Sequence, residues 1–360
     1  MDEFTEEGLR FKHYGTRDWN EASDLKDTEE SVPLEWYYDP SKYPYYAPGP
    51  HDPPLPTPEE IENAPQPHER KDFHNFEAEA MLFLEQHPVL HMPKLYAAFV
   101  HQGADPLKLG YRANGEEPPP LYYIIMEYIQ GDTFHKAWPL MTVPERKEIC
   151  NRIGSHLREL RSIPQPKESP TKEPYYGRVG YQRVVSISGM FGDPRRPLSG
   201  PYDSYEEVVE DMASTAEKDA VTIVVGGGWD EERAEKLKQF RPTLLAAKPE
   251  DRRIVFTHHD LKLSNIILRP RNREVTQKKA DKDTPYGTNY DVVFIDWEMA
   301  DWMPGFTELW SAYQASSEAL KDPAERDLFL KWVFETIGPH NWEIPEFLWS
   351  CIGPFFYRYC

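Results

Sequence analysis

The sequence predicts an α+β fold in which a small part, built from strands and one helix, precedes a larger and mainly helical part. Continuous apolar, β-rich runs such as LYYIIMEYI at 121–129 are typical of buried strands. Apolar residues three and four positions apart, as at 73–84 and 144–162, are typical of amphipathic helices that bury one face. Two further strand-like runs, at 254–268 and 291–302, enclose a polar loop and predict a hairpin.

Bulk properties exclude several classes of protein. A chain of 360 residues is long enough for one large domain or two lobes. Its net charge of −20 argues against a nucleic-acid-binding surface, which needs clustered Lys and Arg. No apolar run approaches the length of a membrane span, and MDEFTEEGLRFKHYG does not resemble a secretory signal. Three widely spaced cysteines suit a reducing compartment, so a cytoplasmic protein without membrane partners is predicted.

The amino-terminal part is rich in proline and tyrosine. Residues 1–67 contain 11 of the 35 prolines, which disfavour long helices and central strands, so this arm is predicted to be extended. The interleaved aromatic residues supply apolar surface that a solvated linker does not need. They are Trp36, Tyr37, Tyr38, Tyr43, Tyr45 and Tyr46. The arm is therefore predicted to wrap around the folded body.

The residues that carry chemistry lie in HHDLKLSN, from His258 to Asn265, and at Asp296, which follows the apolar run VVFI. Phosphoryl transfer from ATP needs a carboxylate for the accepting hydroxyl, oxygen ligands for Mg²⁺ and cations near the γ-phosphate. The two loops offer two Asp, one Asn and one Lys in a strand–loop context. This set satisfies each requirement.

The pattern HxDLKxxN followed by IDWE resembles the catalytic and metal-binding loops of the aminoglycoside phosphotransferase and choline kinase families, relatives of protein kinases. From about 73 to 310, the order of elements resembles fungal members of the aminoglycoside phosphotransferase family. The resemblance implies a kinase-like two-lobe fold with a reduced amino-terminal lobe. Residues 1–70 would form the arm, with room for a small-lobe strand; 71–130 the small lobe and hinge; and 131–360 the large catalytic lobe.

The resemblance also implies roles in the two loops. Asp260 would be the general base, and Asn265 and Asp296 would be the metal ligands. His258 would support the loop from behind, and Lys262 would contact the transferred phosphate. His259 stands where the family commonly has Gly, and it is interpreted as structural or facing the substrate.

On the nucleotide side, the resemblance identifies Glu77 as the helix carboxylate that orients a phosphate-binding lysine. The run FKHYG resembles the family's lysine strand and makes Lys12 the candidate. Backbone groups of Glu127, Tyr128 and Ile129 would meet the adenine. No G-x-G-x-x-G precedes Glu77, so the sequence departs from the family at the phosphate loop.

Other features favour structural interpretations. Gly226–Gly228 lacks both nucleotide-loop patterns and is predicted to be a turn before a helix, with a phosphate role as the minor alternative. Trp297, Trp302 and Trp310 are predicted to be packing residues. Asp301 is predicted to be an exposed loop carboxylate, although it could also face a cationic substrate.

Three functional hypotheses stay open at this point. The first is transfer of a phosphoryl group from Mg²⁺·ATP to a hydroxyl of a small molecule, with the acceptor pocket built by 164–250. The second is a pseudokinase that acts as a binding or scaffold module, because the glycine loop is missing. The third is a kinase-fold enzyme that uses the same cleft for different metabolite chemistry.

Overall fold

The two predicted regions are both present in a computed structural model of the chain. The structure describes residues 4–27, 42–50, 54–57, 60, 74–87, 90–101, 121–185, 198–222, 229, 231–271, 286, 289–338 and 342–356. These ranges contain a small antiparallel sheet with one helix and a larger, mainly helical region. The predicted α+β fold with a reduced small lobe is therefore confirmed.

The arm begins with two helices that the sequence analysis did not predict. They are α1 (Glu6–Tyr14) and α2 (Trp19–Asp27). All prolines of residues 1–67 lie at or beyond Pro33, so nothing prevents helix formation before it. The Thr5 side chain caps α1 by accepting the Gly8 N–H at 3.0 Å, and Gly15 ends it at φ 71°. The extended conformation predicted for this stretch is wrong, and so is the strand predicted at FKHYG.

The small lobe is a three-stranded antiparallel sheet covered by one helix. Its elements are β1 (Tyr45–Tyr46), α3 (His74–Glu85), β2 (Leu95–His101) and β3 (Leu121–Met126). The strand order is β1–β2–β3, and α3 packs on β2 and β3. Phe76, Ala80, Phe83 and Leu84 of α3 are buried, as their spacing predicts.

The arm contributes β1, so it does supply a small-lobe strand, but at two tyrosines rather than at Lys12. Tyr46 pairs with Ala97 and remains exposed, whereas Tyr43, just before β1, is buried in the core. This part of the arm lies against the small lobe, and the wrapping of the whole arm stays a prediction. The aromatic residues Trp36, Tyr37 and Tyr38 lie outside the described residues.

The large lobe is mainly helical. Its helices are α4 (Phe134–Ala137), α5 (Val143–Leu160), α6 (Tyr205–Thr222), α7 (Glu231–Leu245), α8 (Pro249–Arg252), α9 (Phe306–Ala319), α10 (Pro323–Ile337) and α11 (Glu343–Phe356), with a 3₁₀ turn at Trp138–Leu140. Helices α9 and α10 are separate because Pro323 begins α10 and the Asp322 side chain caps it. None of the helices in the described ranges has the length and apolar character that crossing a bilayer requires.

The large lobe also contains short strands, which connect its loops. They are β4 (Asp132–Thr133), β5 (Val184–Val185), β6 (Leu198–Ser199), β7 (Ile254–Thr257), β8 (Ile266–Pro270), β9 (Tyr290–Phe294) and β10 (Asp301–Pro304). All pairings are antiparallel, in the sheets β4–β8–β9, β7–β10 and β5–β6. The hairpin predicted from the two apolar runs is β8–β9, and most of its connecting loop lies outside the described residues.

Helix α1 is docked on the large lobe through one buried carboxylate, Glu217 of α6. Lys12 Nζ lies 3.1 Å and His13 Nε2 lies 2.7 Å from Glu217 Oε2, and Arg241 of α7 pairs with the other oxygen. Burial alone would raise the pKa of Glu217, but hydrogen bonds from His13, Arg241 and Lys12 outweigh it and lower the pKa to about 2. The ionised Glu217 side chain therefore attracts Lys12 and His13 and holds α1 against the large lobe.

Helices α5 and α10 pack closely at Gly154, which generates a test of the fold. A Cβ added at Gly154 would lie 2.7 Å from Thr336 Cβ and closer still to the Val333 carbonyl oxygen. We expect Gly154→Ala to lower the free energy of unfolding by about 1–3 kcal/mol through overpacking, measured by urea denaturation. Gly305→Ala is the control, because its nearest neighbours would lie 3.8 Å away. Equal unfolding midpoints for the two variants would contradict this packing.

The docking of α1 generates a second prediction. Glu217→Gln should speed amide hydrogen exchange in 6–14 at neutral pH, because the buried partner of Lys12 and His13 loses its charge. The folded-state pKa is lowered, so the contribution is complete above the ordinary value of 4.5 and is lost as pH falls through about 2. Wild type and variant should therefore converge in acid. Glu232→Gln, an exposed carboxylate paired with Lys236, should change nothing; an equal effect there would contradict the docking.

Candidate active site

The first site loop connects β7 to a 3₁₀ turn at Leu263–Asn265 and carries Asp260. The Asp260 N–H donates to His258 Nδ1 at 3.2 Å, and the Asp260 carbonyl accepts the Lys262 N–H at 2.7 Å. These local bonds fold the loop tightly around its carboxylate. Lys262 Nζ lies 3.1 Å from Asp260 Oδ1, so the two predicted charged groups are adjacent.

The second site loop follows β9 and carries Asp296. Strands β8 and β9 pair with Ile266 opposite Phe294, and the Ile295 N–H donates to the Asn265 carbonyl at 3.0 Å. This register places the end of one loop beside the start of the other. Asp296 has φ 66°, a left-handed conformation that Asp tolerates better than most residues, and it precedes the 3₁₀ turn Trp297–Met299.

Asn265 connects the two predicted carboxylates. Its Nδ2 donates to Asp260 Oδ2 at 2.8 Å, to the Asp260 carbonyl at 3.1 Å and to Asp296 Oδ2 at 3.3 Å. One amide group thus spans both acids, although they are 36 residues apart in sequence. The three oxygen-bearing side chains that the sequence singled out converge at one place.

His258 joins the two loops from beneath. Its ring is fully buried, its Nδ1 accepts the Asp260 N–H, and its Nε2 lies 3.0 Å from the Ile295 carbonyl. Because Nδ1 accepts, Nε2 carries the proton and donates. This neutral tautomer matches the supporting position that the family resemblance implies.

Glu77 lies beside the Asp296 loop, whereas Lys12 does not lie beside Glu77. The Trp297 N–H donates to Glu77 Oε1 at 3.3 Å, so helix α3 contacts the residue that follows Asp296. Lys12, on α1, pairs with Glu217 of the large lobe. The prediction that Lys12 serves as the phosphate-binding lysine next to Glu77 rests on a strand that the structure replaces with a helix.

The hinge residues follow β3 and lead directly to the site. Tyr128 is 87% exposed and Ile129 is buried, while the Glu127 N–H donates to the Lys94 carbonyl. That N–H is therefore engaged within the small lobe. Gly131 then crosses β8 so closely that a Cβ would meet the Leu268 carbonyl, and β4 continues along the same strand.

The chemistry of the donor set fits Mg²⁺ bound together with nucleotide phosphates. Mg²⁺ prefers oxygen ligands and typically takes one or two carboxylates, with phosphates and waters completing the octahedron. Asp296 and Asn265 provide a carboxylate and an amide oxygen, with Asp260 adjacent. Among the described residues, no group of three or more His, Cys, Asp or Glu could form an all-protein metal cage, which this type of site does not need.

Two buried acids lie beneath the loop in positions that the sequence did not predict. Glu308, in the first turn of α9, accepts the N–H groups of His258 at 2.7 Å and His259 at 3.2 Å. Asp301 was predicted to be exposed but is buried, 2.9 Å from His259 Nδ1, because it forms part of β10 opposite Thr257. An acid in a first helical turn is an ordinary feature, so no local pattern singles out Glu308.

A cluster of buried charges joins helix α3 to the large lobe. Glu79 lies 3.2 Å from Arg178 Nη1 and 3.5 Å from Lys42 Nζ, and the Arg178 guanidinium lies 3.6 Å from the centre of the Phe76 ring. Positions 77 and 79 point to different sides of a helix, and the pairing with Lys42 is on the side of Glu79. The cluster attaches the Glu79 side of α3 to Arg178 of the large lobe.

The remaining sequence predictions concern packing and pockets. The indole rings of Trp297, Trp302 and Trp310 are buried, as predicted. Gly226–Gly228 lies outside the described residues. A cavity of about 510 Å³ lies between α9, α10 and α11, and Tyr313, Trp342 and Trp349 are among the residues that line it. None of its lining residues comes from 164–250, the region that was expected to build the acceptor pocket.

Comparisons with known proteins bear on this arrangement. The sequence model described as "Phosphotransferase enzyme family" (APH) matches residues 63–276. No match was found among curated proteins. Similar solved structures include the aminoglycoside phosphotransferase APH(2'')-Ib bound to ADP, at 12% identity and TM-score 0.38, with 78% of this chain and 81% of that chain covered. Another is Plasmodium vivax ethanolamine kinase, at 15% identity and TM-score 0.35, with 81% of this chain and 64% of that chain covered. This chain thus spans less than two thirds of that kinase.

The family match covers more than half of the 360 residues and includes the whole Asp260 loop with Asn265. Asp296, the second acid that this amide contacts, lies beyond the matched residues. On the strength of this match, the chain belongs to the phosphotransferase enzyme family.

Proposed function

We propose that the protein transfers the γ-phosphoryl group of ATP to a hydroxyl of a small molecule in a Mg²⁺-dependent reaction. The observation that carries the proposal is Asn265 Nδ2, which donates to both Asp260 and Asp296. This contact holds the proposed base and the proposed metal ligands on one side of the two loops. Membership of a phosphotransferase family supports the reaction class.

In the proposed mechanism, Asp260 orients the acceptor hydroxyl and takes its proton as the oxygen forms a bond to the γ-phosphorus. The bond between that phosphorus and the β–γ bridging oxygen breaks, and ADP leaves with the electron pair. Lys262, 3.1 Å from Asp260, presents a cation to the transferred group. Asn265 and Asp296 would hold Mg²⁺, which offsets the charge of the phosphates when bound.

A second candidate function is a binding or scaffold module derived from a kinase. The observation that favours it is the position of Lys12, which pairs with Glu217 rather than with Glu77. Productive phosphoryl transfer usually needs a lysine on the nucleotide phosphates. In the third hypothesis, different metabolite chemistry in the same cleft, the product would lack the mass of one added phosphoryl group.

Replacement of the proposed base gives the main test. Asp260→Asn should leave Mg²⁺·ADP affinity within about threefold but lower ATP turnover by about 10²–10⁴-fold, because the amide cannot accept the hydroxyl proton. Calorimetry and release of inorganic phosphate, with and without candidate alcohols, measure the two effects. Asp24→Asn, an exposed change on α2, is the control. Failure of the wild-type protein to bind Mg²⁺·ATP would exclude the proposed reaction.

Replacement of a proposed metal ligand separates the first two functions. Asp296→Asn should weaken nucleotide binding by about tenfold or more when Mg²⁺ is present and hardly at all when it is absent, because it removes one anionic ligand. Parallel titrations with ADP in Mg²⁺ and in chelator measure this difference. Nucleotide binding that is equally weak with and without Mg²⁺ in the wild type would favour the scaffold function.

A further inference from the structure

His259 is held at both ring nitrogens, one residue before Asp260. Its Nε2 lies 2.6 Å from Thr307 Oγ1, and the Thr307 hydroxyl donates to the Pro304 carbonyl at 2.8 Å. A hydroxyl has one proton, and that proton is already used. The contact with Thr307 therefore requires His259 Nε2 to carry a proton and donate it.

The other ring nitrogen also needs a proton. Nδ1 lies 2.9 Å from Asp301 Oδ1, and that oxygen already accepts the Thr257 hydroxyl at 2.9 Å. Asp301 Oδ1 does not lie along the Nδ1–H direction, so the two groups form an ion pair rather than an aligned hydrogen bond. Two unprotonated, electron-rich atoms 2.9 Å apart would repel each other, so Nδ1 also carries a proton. Because imidazole is the stronger base, His259 is an imidazolium.

Three charged groups and one neutral hydroxyl surround His259. Asp301 of β10 and Glu308 of α9 are anions, and Arg161, just beyond α5, is a cation; Thr257 of β7 is neutral. Burial lowers the pKa of His259, but Asp301 and Glu308 outweigh both burial and Arg161, so the pKa is raised overall. The Asp301 charge also acts on Arg178, which pairs with Glu79 of α3.

The backbone of His259 is in the left-handed region, at φ 60°. A non-glycine residue there is strained and persists only when its surroundings fix it. Here the His259 N–H donates to Glu308, while the ring is clamped between Asp301 and Thr307. The next residue in the chain is Asp260, so this strained turn sets the direction in which the carboxylate leaves the loop.

We propose that His259 is a positioning residue, an imidazolium clamped between Asp301 and Thr307 that holds the left-handed turn and thereby directs Asp260. The inference rests on the proposed function for its effect on catalysis. Its structural part, the double protonation and the rigid loop, can be tested without measuring turnover. The two parts therefore have separate measurements.

The structural measurement uses full-length protein labelled with ¹⁵N. Both ring nitrogens of wild-type His259 should be protonated at pH 6.5, whereas Asp301→Asn should leave one protonated, because burial is no longer opposed by the aspartate charge. Amide exchange in 258–262 should rise at least about tenfold in Asp301→Asn and Thr307→Val, a loss of about 1.4 kcal/mol. Thr307→Ser keeps the hydroxyl and should restore wild-type exchange. Asp219→Asn and Thr215→Val, buried residues of α6, are matched controls.

The catalytic measurement uses the same variants. Thr307→Val keeps every charge, so it is the variant to rely on if Asp301→Asn does not fold. It should lower kcat at least about tenfold with the KM for ATP within about twofold. In the wild type, the imidazolium is lost as pH rises, so kcat should fall on the alkaline side of its pH profile. Asp301→Asn should move this fall to lower pH.

The outcomes separate the two claims. A neutral His259 in the wild type, or unchanged loop exchange in Thr307→Val, would overturn the positioning inference. A doubly protonated His259 and a loop loosened by Thr307→Val, in a wild-type protein that shows no Mg²⁺·ATP turnover, would instead support the positioning of the loop and overturn the proposed reaction.

Discussion

The antiparallel register of β8 and β9 is the constraint on which the site depends. Ile266 pairs with Phe294, so the residue before one strand and the residues after the other meet at the same end of the hairpin. This pairing makes Asn265 and Asp296 neighbours, although 30 residues separate them. A slip of one residue would turn their side chains to opposite faces and separate the amide from the second acid.

Beneath this hairpin, buried charges of alternating sign connect the lobes. From the small lobe inward they are Glu79, Arg178, Asp301, His259, Glu308 and Arg161. Burying an unpaired charge is costly, so each member depends on its neighbours remaining in place. The chain as a whole is strongly acidic, with a net charge of −20, yet this interior array is balanced. Its pairing links the position of α3 to the shape of the Asp260 loop.

The sequence was most informative where a local pattern sufficed. Helical spacing identified α3 and α5, apolar runs identified β3 and the β8–β9 hairpin, and the spacing of Asp260, Asn265 and Asp296 identified the groups that converge. Partners that are distant in sequence were missed. Glu308, Asp301 and Arg178 acquire their importance only through tertiary contacts, and no local pattern marks a carboxylate as the future partner of a loop 49 residues away. FKHYG was mistaken for a strand because its short apolar–basic pattern also suits a capped helix, and docking against Glu217 stabilises the helix.

The close crossing at Gly131 marks the point at which the chain leaves the small lobe and joins the large lobe. From Gly131 onward the backbone touches Leu268 and then runs along β8 as β4. On the other side, the Glu127 N–H ties the end of β3 to Lys94. Three residues, 128–130, separate these two attachments. A side chain at 131 would push against the Leu268 carbonyl, and β8 begins directly after Asn265, so the spacing of the two site loops depends on a residue that neither loop contains.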